Sequence, residues 1–275
     1  MSSSPGLKDQ VSEFWSRASC GEELYLVGEE ADRYRRQSME RYRLEPYIRD
    51  FMEPHRWAGK KALEIGVGLG ADHQLLAEAG AILSGVDLTE RAVEHTRERF
   101  RIFNLTSNLQ QADAENLPFP DASFDLVYSW GVIHHTPDTP KAAREIIRVL
   151  KPGGTFKVMI YNKWSLVGAM LWLRYALLSG KPWRTMADIY SNYLESPGTK
   201  AYTPAGSAVL FPDTNDLKPR VVLTHGDLLE GGAGQRHSGL LISVARAIWP
   251  RWLFRRFGRD LGLFLLIEGQ KPLNS

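Results

Sequence analysis

The chain of 275 residues has one cysteine, no long apolar run and almost no net charge. A single cysteine, Cys20, cannot form an internal disulfide bond, and no cysteine and histidine residues have zinc-ligand spacing, so we expect no metal site. No apolar run approaches the roughly 20 residues that cross a bilayer. Lysine and arginine number 34 against 32 aspartates and glutamates. This balance gives no support to nucleic acid binding.

The N-terminal sequence MSSSPGLKDQ lacks the charged and then apolar layout of a secretory signal. No internal repeat or low-complexity tract is present. With 43% hydrophobic and 24% charged residues, the composition is that of a folded globular protein. We therefore expect a cytoplasmic protein, and the sequence leaves its oligomeric state open.

Apolar runs and helical patterns alternate from residue 60 onward. The predicted strands are KALEIGV, AILSGVDL, LQQADA, FDLVYSWGVI and GTFKVMIY, followed later by PRVVLTHGDLL and GLFLLIEGQKP. Helical spacing separates the first five, with Thr139 as the expected N-cap and Pro140 in the first turn of one helix, which KPGG closes. This rhythm predicts an α/β fold with a mostly parallel sheet of seven strands and helices on both faces.

Three further segments surround residues 57–162, the core of the single domain expected over 1–275. Residues 1–56 are polar, aromatic and arginine-rich, and predict a helical cap or a solvated helical layer. Residues 163–204 are rich in aromatic side chains, which favours a lid over a pocket or a packing layer without a ligand. Residues 205–275 hold the last strands and a basic, aromatic stretch at 239–258. That stretch is either a packing helix or a peripheral membrane contact.

The turn after the first predicted strand reads Glu64-Ile65-Gly66-Val67-Gly68-Leu69-Gly70. Glycines allow a tight turn and bring a ligand against bare main chain, next to the positive end of the following helix. A nicotinamide dinucleotide fingerprint is G-x-G-x-x-G, whereas this turn is G-x-G-x-G with an acid two residues before it. A pyrophosphate disfavours that carboxylate, whereas a cofactor with an ammonium group and a sulfonium favours it.

Acidic residues also end the next two predicted strands. Asp87 lies about 20 residues after the glycines, where a carboxylate accepts hydrogen bonds from ribose hydroxyls. Asp113 and Ala114 end the third strand, where a carboxylate and a backbone N–H can bind the adenine edge. Each acid alone is consistent with a surface charge. Three acids at successive strand ends of one sheet instead predict an adenosine-type cofactor.

Together these motifs resemble a class I S-adenosylmethionine-dependent methyltransferase of the small-molecule type, similar to methyltransferase-11/25 domains. The matching pieces are ALEIGVGLG, GVDLT, ADAENLPFPDASFDLVYS, GVIHHTPD and EIIRVLKPGGTF, in the family's order over residues 60–160. The resemblance implies a Rossmann-like fold with S-adenosylmethionine as cofactor and S-adenosylhomocysteine as product. It implies cofactor contacts by Glu64, Gly66, Gly68, Gly70, Asp87, Leu88, Asp113, Ala114, Ser129, Trp130 and Gly131.

A methyl group on a sulfonium is already activated, so such a protein mainly aligns the reactants and excludes water. A base is needed only where the acceptor starts protonated. His134 and His135 follow the fourth strand, beside the expected methyl position, and either is a candidate base. The alternative is that one of them orients a loop by a hydrogen bond and neither takes part in the chemistry.

The acceptor is expected to be a small organic molecule, flat or lipophilic, methylated at oxygen, carbon or nitrogen. Ser129-Trp130-Gly131-Val132 stands where amino-directed DNA methyltransferases resemble one another in an Asn/Asp-Pro-Pro-aromatic motif. Two other functions stay open. One is a nicotinamide-dependent oxidoreductase, disfavoured by the glycine spacing and by the lack of a Tyr-x-x-x-Lys pair. The other is a subunit that binds S-adenosylmethionine without turnover.

Overall fold

Seven strands form one sheet in the order β3-β2-β1-β4-β5-β7-β6 in the computed structural model, which describes residues 6–19, 22, 26, 30–230 and 249–274. The strands are β1 Lys61–Ile65, β2 Ile82–Asp87, β3 Asn108–Gln111, β4 Phe124–Trp130, β5 Leu150–Tyr161, β6 Asn215–Val222 and β7 Phe264–Gln270. The first five pair in parallel, and β7 is antiparallel to both β5 and β6. The predicted α/β fold with a mostly parallel seven-stranded sheet is confirmed.

Helices precede the sheet and connect its strands. The α-helices are α1 Leu7–Arg17, α2 Glu30–Leu44, α3 Tyr47–Met52, α4 Ala71–Glu78, α5 Glu90–Ile102, α6 Thr139–Val149, α7 Leu166–Trp172, α8 Met186–Ile189, α9 Pro204–Leu210 and α10 Arg251–Phe257. Two π-helical segments, Leu173–Leu177 and Tyr190–Leu194, extend α7 and α8. In the described ranges, no helix combines the length and the apolar character needed to cross a bilayer.

Alternate side chains of the central strands enter two apolar cores, one on each face of the sheet. On one face Leu63 and Val127 pack with Ala143 and Ile146 of α6. On the other face Leu126 packs with the α3 side chains Ile48, Phe51 and Met52. The sheet is therefore covered on both faces, and the segment before β1 supplies part of the second cover.

The start and end of α6 differ from the prediction. Asp138, rather than Thr139, is the N-cap, because its side chain accepts a hydrogen bond from the Lys141 N–H at 2.9 Å. Thr139 is the first helical residue, ahead of Pro140. The KPGG sequence lies inside β5, which begins at Leu150, directly after α6. The helix therefore passes into the strand without a separate closing turn.

Some sequence predictions fall on residues that the structure does not describe. These are Cys20 and residues 239–248 of the basic, aromatic stretch. The rest of that stretch includes α10, where Trp252 and Phe257 are exposed. Membrane contact through 239–258 stays a prediction, as do the boundaries of the cap and lid.

Candidate functional site

The glycine turn between β1 and α4 forms one side of a cavity at the carboxyl edge of the sheet. Gly66 has φ +84°, and a Cβ there would lie 2.0 Å from Val132 Cγ2. A side chain at this position would therefore collide with the turn after β4. Gly66 and Gly68 both line the cavity. The close contact between the two turns explains why glycine follows β1.

Asp87 ends β2 at the same edge and lines the cavity. Its Oδ1 accepts hydrogen bonds from the N–H and the hydroxyl of Thr89, at 3.0 and 2.9 Å. Its Oδ2 accepts one from the Gly68 N–H at 3.2 Å. Burial raises the pKa of the Asp87 carboxyl, although these hydrogen bonds act in the opposite direction. The carboxyl thus fixes the glycine turn and keeps lone pairs for a ligand.

Asp113 lies after β3, across the cavity. Its Oδ1 accepts the Glu115 N–H at 2.9 Å, and its Oδ2 lies 2.5 Å from Lys8 Nζ. Lys8 also binds Glu115 Oε2 at 2.8 Å. Asp113, which is predicted to bind adenine, therefore lines the cavity and forms an ion pair with Lys8 of α1.

The structure brings nine of the thirteen predicted site residues to this one cavity: Gly66, Gly68, Asp87, Leu88, Asp113, Ala114, Trp130, Gly131 and His135. Glu64, Gly70, Ser129 and His134 do not line it. Ser129 is fully buried, and its hydroxyl has no hydrogen-bond partner among the described residues. Gly70 packs against α5, since a Cβ there would lie 2.9 Å from Thr96 Oγ1.

Glu64 lies under the glycine turn, where its Oε2 is 2.8 Å from His73 Nδ1. Burial, with the nearby Asp72 carboxylate, raises the pKa of Glu64 well above its usual value. Burial lowers the pKa of His73 to about 3. The cofactor contact predicted for Glu64 stays a prediction. In this structure the carboxyl contacts His73.

A family model described as a methyltransferase domain matches residues 63–158. This segment runs from within β1 to within β5 and includes the predicted cofactor residues. It is a class I S-adenosylmethionine-dependent methyltransferase domain. S-adenosylmethionine is the cofactor of such domains, and the residues at the cavity fit it. Asp87 retains lone pairs for ribose hydroxyls, and the glycine turn offers bare main chain.

Relatives of this methyltransferase domain are found among curated bacterial proteins. An S-adenosylmethionine-dependent methyltransferase of Mycolicibacterium smegmatis is 37% identical over 110 residues, which are 40% of this chain and 41% of that protein. The 27-O-demethylrifamycin SV methyltransferase of Amycolatopsis mediterranei is 37% identical over 100 residues, 35% of this chain and 37% of its own. The matched segment thus spans about two fifths of these relatives.

Solved structures share the fold of most of this chain. A Thermotoga maritima S-adenosylmethionine-dependent methyltransferase aligns with a TM-score of 0.53 at 18% identity, over 95% of this chain and 99% of its own. The [4+2]-cyclase SpnF aligns with a TM-score of 0.53 at 17% identity, over 82% of this chain and 80% of its own. These likenesses concern the fold, which is compatible with more than one reaction.

Sequence reasoning missed the contribution of α1 to the cavity. Lys8, Val11 and Trp15 line it, and the Trp15 ring meets the His135 ring nearly edge-on, with centroids 5.5 Å apart. The aromatic and charged composition of residues 8–56 was the only signal of this role. It could not show which side chains reach a strand end some 100 residues away.

The two candidate histidines have different surroundings. His134 is fully buried, neither ring nitrogen has a hydrogen-bond partner in the described part of the chain, and its ring packs 4.2 Å from that of Tyr161. Burial, with lesser effects of His135 and Lys200, lowers the pKa of His134 well below its usual value. His135 lines the cavity and contacts residues of the 163–204 insertion. Of the two, His135 is placed to meet a ligand.

Proposed function

We propose that this chain transfers a methyl group from S-adenosylmethionine to a small organic acceptor. The observation that carries the proposal is one cavity shared by the glycine turn, Asp87, Asp113, Gly131 and His135. The first three suit an adenosine-type cofactor, as the family match indicates, and the last two lie after β4 at the far side. The cavity therefore combines groups suited to cofactor binding with groups suited to acceptor chemistry.

The bound cofactor would supply an activated methyl group on a sulfonium. The protein would then align the acceptor for in-line displacement and exclude water. Trp15 on α1 and Trp130 at the end of β4 are tryptophan side chains at the cavity. They favour a flat or lipophilic acceptor. Where the acceptor begins protonated, His135 is the base that we propose, with His134 as its buried neighbour.

The names of similar proteins support a small-molecule acceptor. One relative is named as a methyltransferase of 27-O-demethylrifamycin SV. Another, from Tropheryma whipplei, is named demethylmenaquinone methyltransferase and is 33% identical over 124 residues, 44% of this chain and 51% of that protein. These names describe those proteins, and they guide the choice of acceptors to be tried here.

Titration calorimetry with S-adenosylmethionine, S-adenosylhomocysteine and NAD tests the cofactor. We expect binding of the first two and none of NAD. Asp87→Ala should weaken S-adenosylhomocysteine binding by at least about tenfold, since a hydrogen bond to a charged group contributes about 1.5–3 kcal/mol. Asp121→Ala, at an exposed acid that pairs with Arg148, is the control. Wild-type affinity in a folded Asp87→Ala protein would contradict the assignment.

The reaction itself is tested with a panel of phenols, alcohols, amines and quinone-type acceptors, with methyl transfer read by mass spectrometry. Transfer to at least one acceptor supports the proposal. Binding of S-adenosylhomocysteine with no transfer across the panel would favour a cofactor-binding subunit. Binding of NAD alone would favour the oxidoreductase.

A further inference from the structure

Exposed large apolar side chains are concentrated in two segments, residues 163–187 and 249–262. Among the residues that the structure describes, thirteen such side chains are exposed, and these segments hold nine of them: Trp164, Leu173, Leu177, Leu178, Trp183, Trp252, Leu253, Phe257 and Leu261. Single exposed apolar side chains are ordinary, whereas a concentration of them marks an interaction site.

The same two segments are strongly basic. They contain eight of the 34 lysines and arginines of the chain and one of its 32 acidic residues, Asp260. The cations are Lys163, Arg174, Lys181, Arg184, Arg251, Arg255, Arg256 and Arg259. Because the whole chain is almost neutral, positive charge is segregated here. We refer to residues 163–187 and 249–262 together as the aromatic-basic surface.

Part of this positive charge faces solvent. Arg184 and Arg255 form ion pairs with acidic side chains. Arg174 and Arg256 are exposed, and each guanidinium lies over the ring of the aromatic residue that follows it, 5.1 and 5.3 Å from the centroid. A cation on an aromatic face keeps its charge. Arg174 and Arg256 therefore offer positive charge to a partner.

A buried carboxylate holds the two segments next to each other. Asp227 Oδ1 accepts the Val167 N–H at 3.2 Å, and its Oδ2 accepts the N–H of Leu263, directly after the second segment, at 2.7 Å. The Asp227 carbonyl accepts the indole N–H of Trp249 at 2.9 Å. The two segments are therefore neighbours in the fold, although residues 188–248 separate them in the sequence.

The turn after the π-helical extension of α7 holds apolar side chains outward on a fixed backbone. Leu178 is 73% exposed and Trp183 is 75% exposed. Between them, the Lys181 N–H donates to a carbonyl of the helix at 2.8 Å. The Trp172 indole N–H donates to the Arg184 carbonyl at 2.9 Å and fixes the far end of the turn. Two large apolar side chains and a cation thus share a preorganised turn, which lowers the entropy that binding costs.

An anionic lipid surface matches both properties of this region. Its negative headgroups attract lysine and arginine, and tryptophan and leucine enter the boundary between headgroups and acyl chains. A nucleic acid would engage the cations through its phosphates and would leave the leucines in water. A two-fold contact between two copies of the chain would place like charges opposite each other.

We propose that the aromatic-basic surface docks this protein on an anionic lipid bilayer. Leu178 and Trp183 enter the headgroup region, and Arg174, Lys181 and Arg256 lie against headgroup phosphates. The protein lies on the bilayer without crossing it. The cavity is lined by other residues, so this inference goes beyond methyl transfer and does not depend on it.

Co-sedimentation of the full chain with lipid vesicles tests the docking. One set of vesicles contains phosphatidylcholine alone, and the other contains about one third phosphatidylglycerol. We expect binding to the second set to be at least about tenfold stronger than to the first, and to be lost as salt rises from about 0.05 to 0.5 M. Equal binding to both sets, or binding to neither, would overturn the proposal.

The apolar contribution is tested with the double variant Leu178→Ser/Trp183→Ser. It should bind the phosphatidylglycerol vesicles at least about tenfold more weakly, since both positions lose apolar area that the lipid buries. Met39→Ser/Val209→Ser is the matched control, because both side chains are more than 70% exposed and lie outside the aromatic-basic surface. Equal losses in the two double variants would count against this surface as the lipid site.

The charge contribution is tested with Arg174→Glu/Lys181→Glu, which should also weaken vesicle binding by at least about tenfold. Lys60→Glu/Lys141→Glu makes the same change of charge at two exposed positions outside the aromatic-basic surface, and it should bind nearly as the wild type does. Thermal unfolding verifies that each variant is folded. Wild-type binding by a folded Arg174→Glu/Lys181→Glu protein would place the lipid contact elsewhere and refute the proposal.

Two further measurements separate the other partners. Sedimentation velocity without lipid should give the same mass for the wild type and for Leu178→Ser/Trp183→Ser. A larger species formed by the wild type alone would assign the surface to a second copy of the chain. A labelled oligonucleotide bound in place of vesicles would assign it to nucleic acid, and either result would replace the lipid as the partner.

Discussion

The acid before the glycine turn acts as a neutral group in this fold. Ser107 donates its hydroxyl to the Leu83 carbonyl, so its oxygen accepts from His73 Nε2 at 2.8 Å. Burial, which lowers the pKa of His73 to about 3, favours the neutral ring, whose Nδ1 then accepts a hydrogen bond from a protonated Glu64. The directions of both pKa shifts, up for Glu64 and down for His73, agree with this assignment. Glu64 thus links the glycine turn to His73 of α4. This contact accounts for an acid at this position without an attraction between its negative charge and the cofactor.

Glu45 offers a test of pH dependence at a single residue. Burial raises the pKa of this carboxyl to about 7 from 4.5, against the opposing charge of Arg41. The folded state therefore binds more protons than the unfolded state between these values, and stability falls as pH rises from about 4.5 to 7. Glu45→Gln should remove this loss, and it should stabilise the protein at pH 8 by up to about 3 kcal/mol.

Urea unfolding of the wild type and Glu45→Gln at pH 4.5 and pH 8 measures the effect. The difference between the two proteins should be small at the lower pH and should grow at the higher pH. A Glu45→Gln protein that is less stable than the wild type at pH 8 would show that the Arg41 contact outweighs burial.

At the scale of elements, two arginines, one half-buried and one buried, join α2 to the core below the glycine turn. Arg41 makes a two-pronged ion pair with Asp72, with Nε at 2.8 Å and Nη2 at 2.6 Å, and Tyr42 and Tyr128 also donate to this carboxylate. Arg99 of α5 donates to the Leu69 carbonyl at 2.8 Å. The helix before β1 is therefore part of the support of the cofactor turn.

Removing Arg41 should destabilise this arrangement strongly. Arg41→Met leaves the buried Asp72 carboxylate without its cation, which typically costs about 3–5 kcal/mol. Arg35→Met, on the same helix but at an exposed pair with Asp32, should change stability by less than about 1 kcal/mol. Urea unfolding at pH 7 compares them. The double variant Arg41→Met/Asp72→Asn should recover part of the lost stability. Equal losses of stability in Arg41→Met and Arg35→Met would contradict the role of Arg41.

The elements that could be predicted from sequence are those defined by local pattern. The runs ending at Ile65 and Asp87 are buried parallel strands, and their apolar continuity and following turn residues are visible in the sequence. The cap of α6 was misassigned because Asp138 and Thr139 are both good N-cap residues, and only the backbone geometry separates them. The contact between Glu195 and His135 could not be predicted, because it joins residues far apart and Glu195 lies in a segment without a family motif.

At the scale of the whole molecule, ligand binding should appear as thermal stability. A ligand that binds only the folded state at 100 times its Kd adds about 2.7 kcal/mol, which corresponds to a rise of roughly 5–10 °C in Tm for a chain of this size. We expect S-adenosylhomocysteine to produce this rise in differential scanning fluorimetry. NAD should produce none, and Asp87→Ala should lose most of it. A full rise in Asp87→Ala would place the ligand elsewhere.

The position of β7 between β5 and β6 bears on how the chain is made. During synthesis β6 leaves the ribosome before β7, the strand to which it is bonded. Until residues 264–270 have emerged, β5 has one unpaired edge and β6 has no partner in the sheet. Unpaired strand edges attract other chains. Chains truncated before residue 264 should therefore stay bound to chaperones after their release from the ribosome, and chains that include residues 264–270 should not.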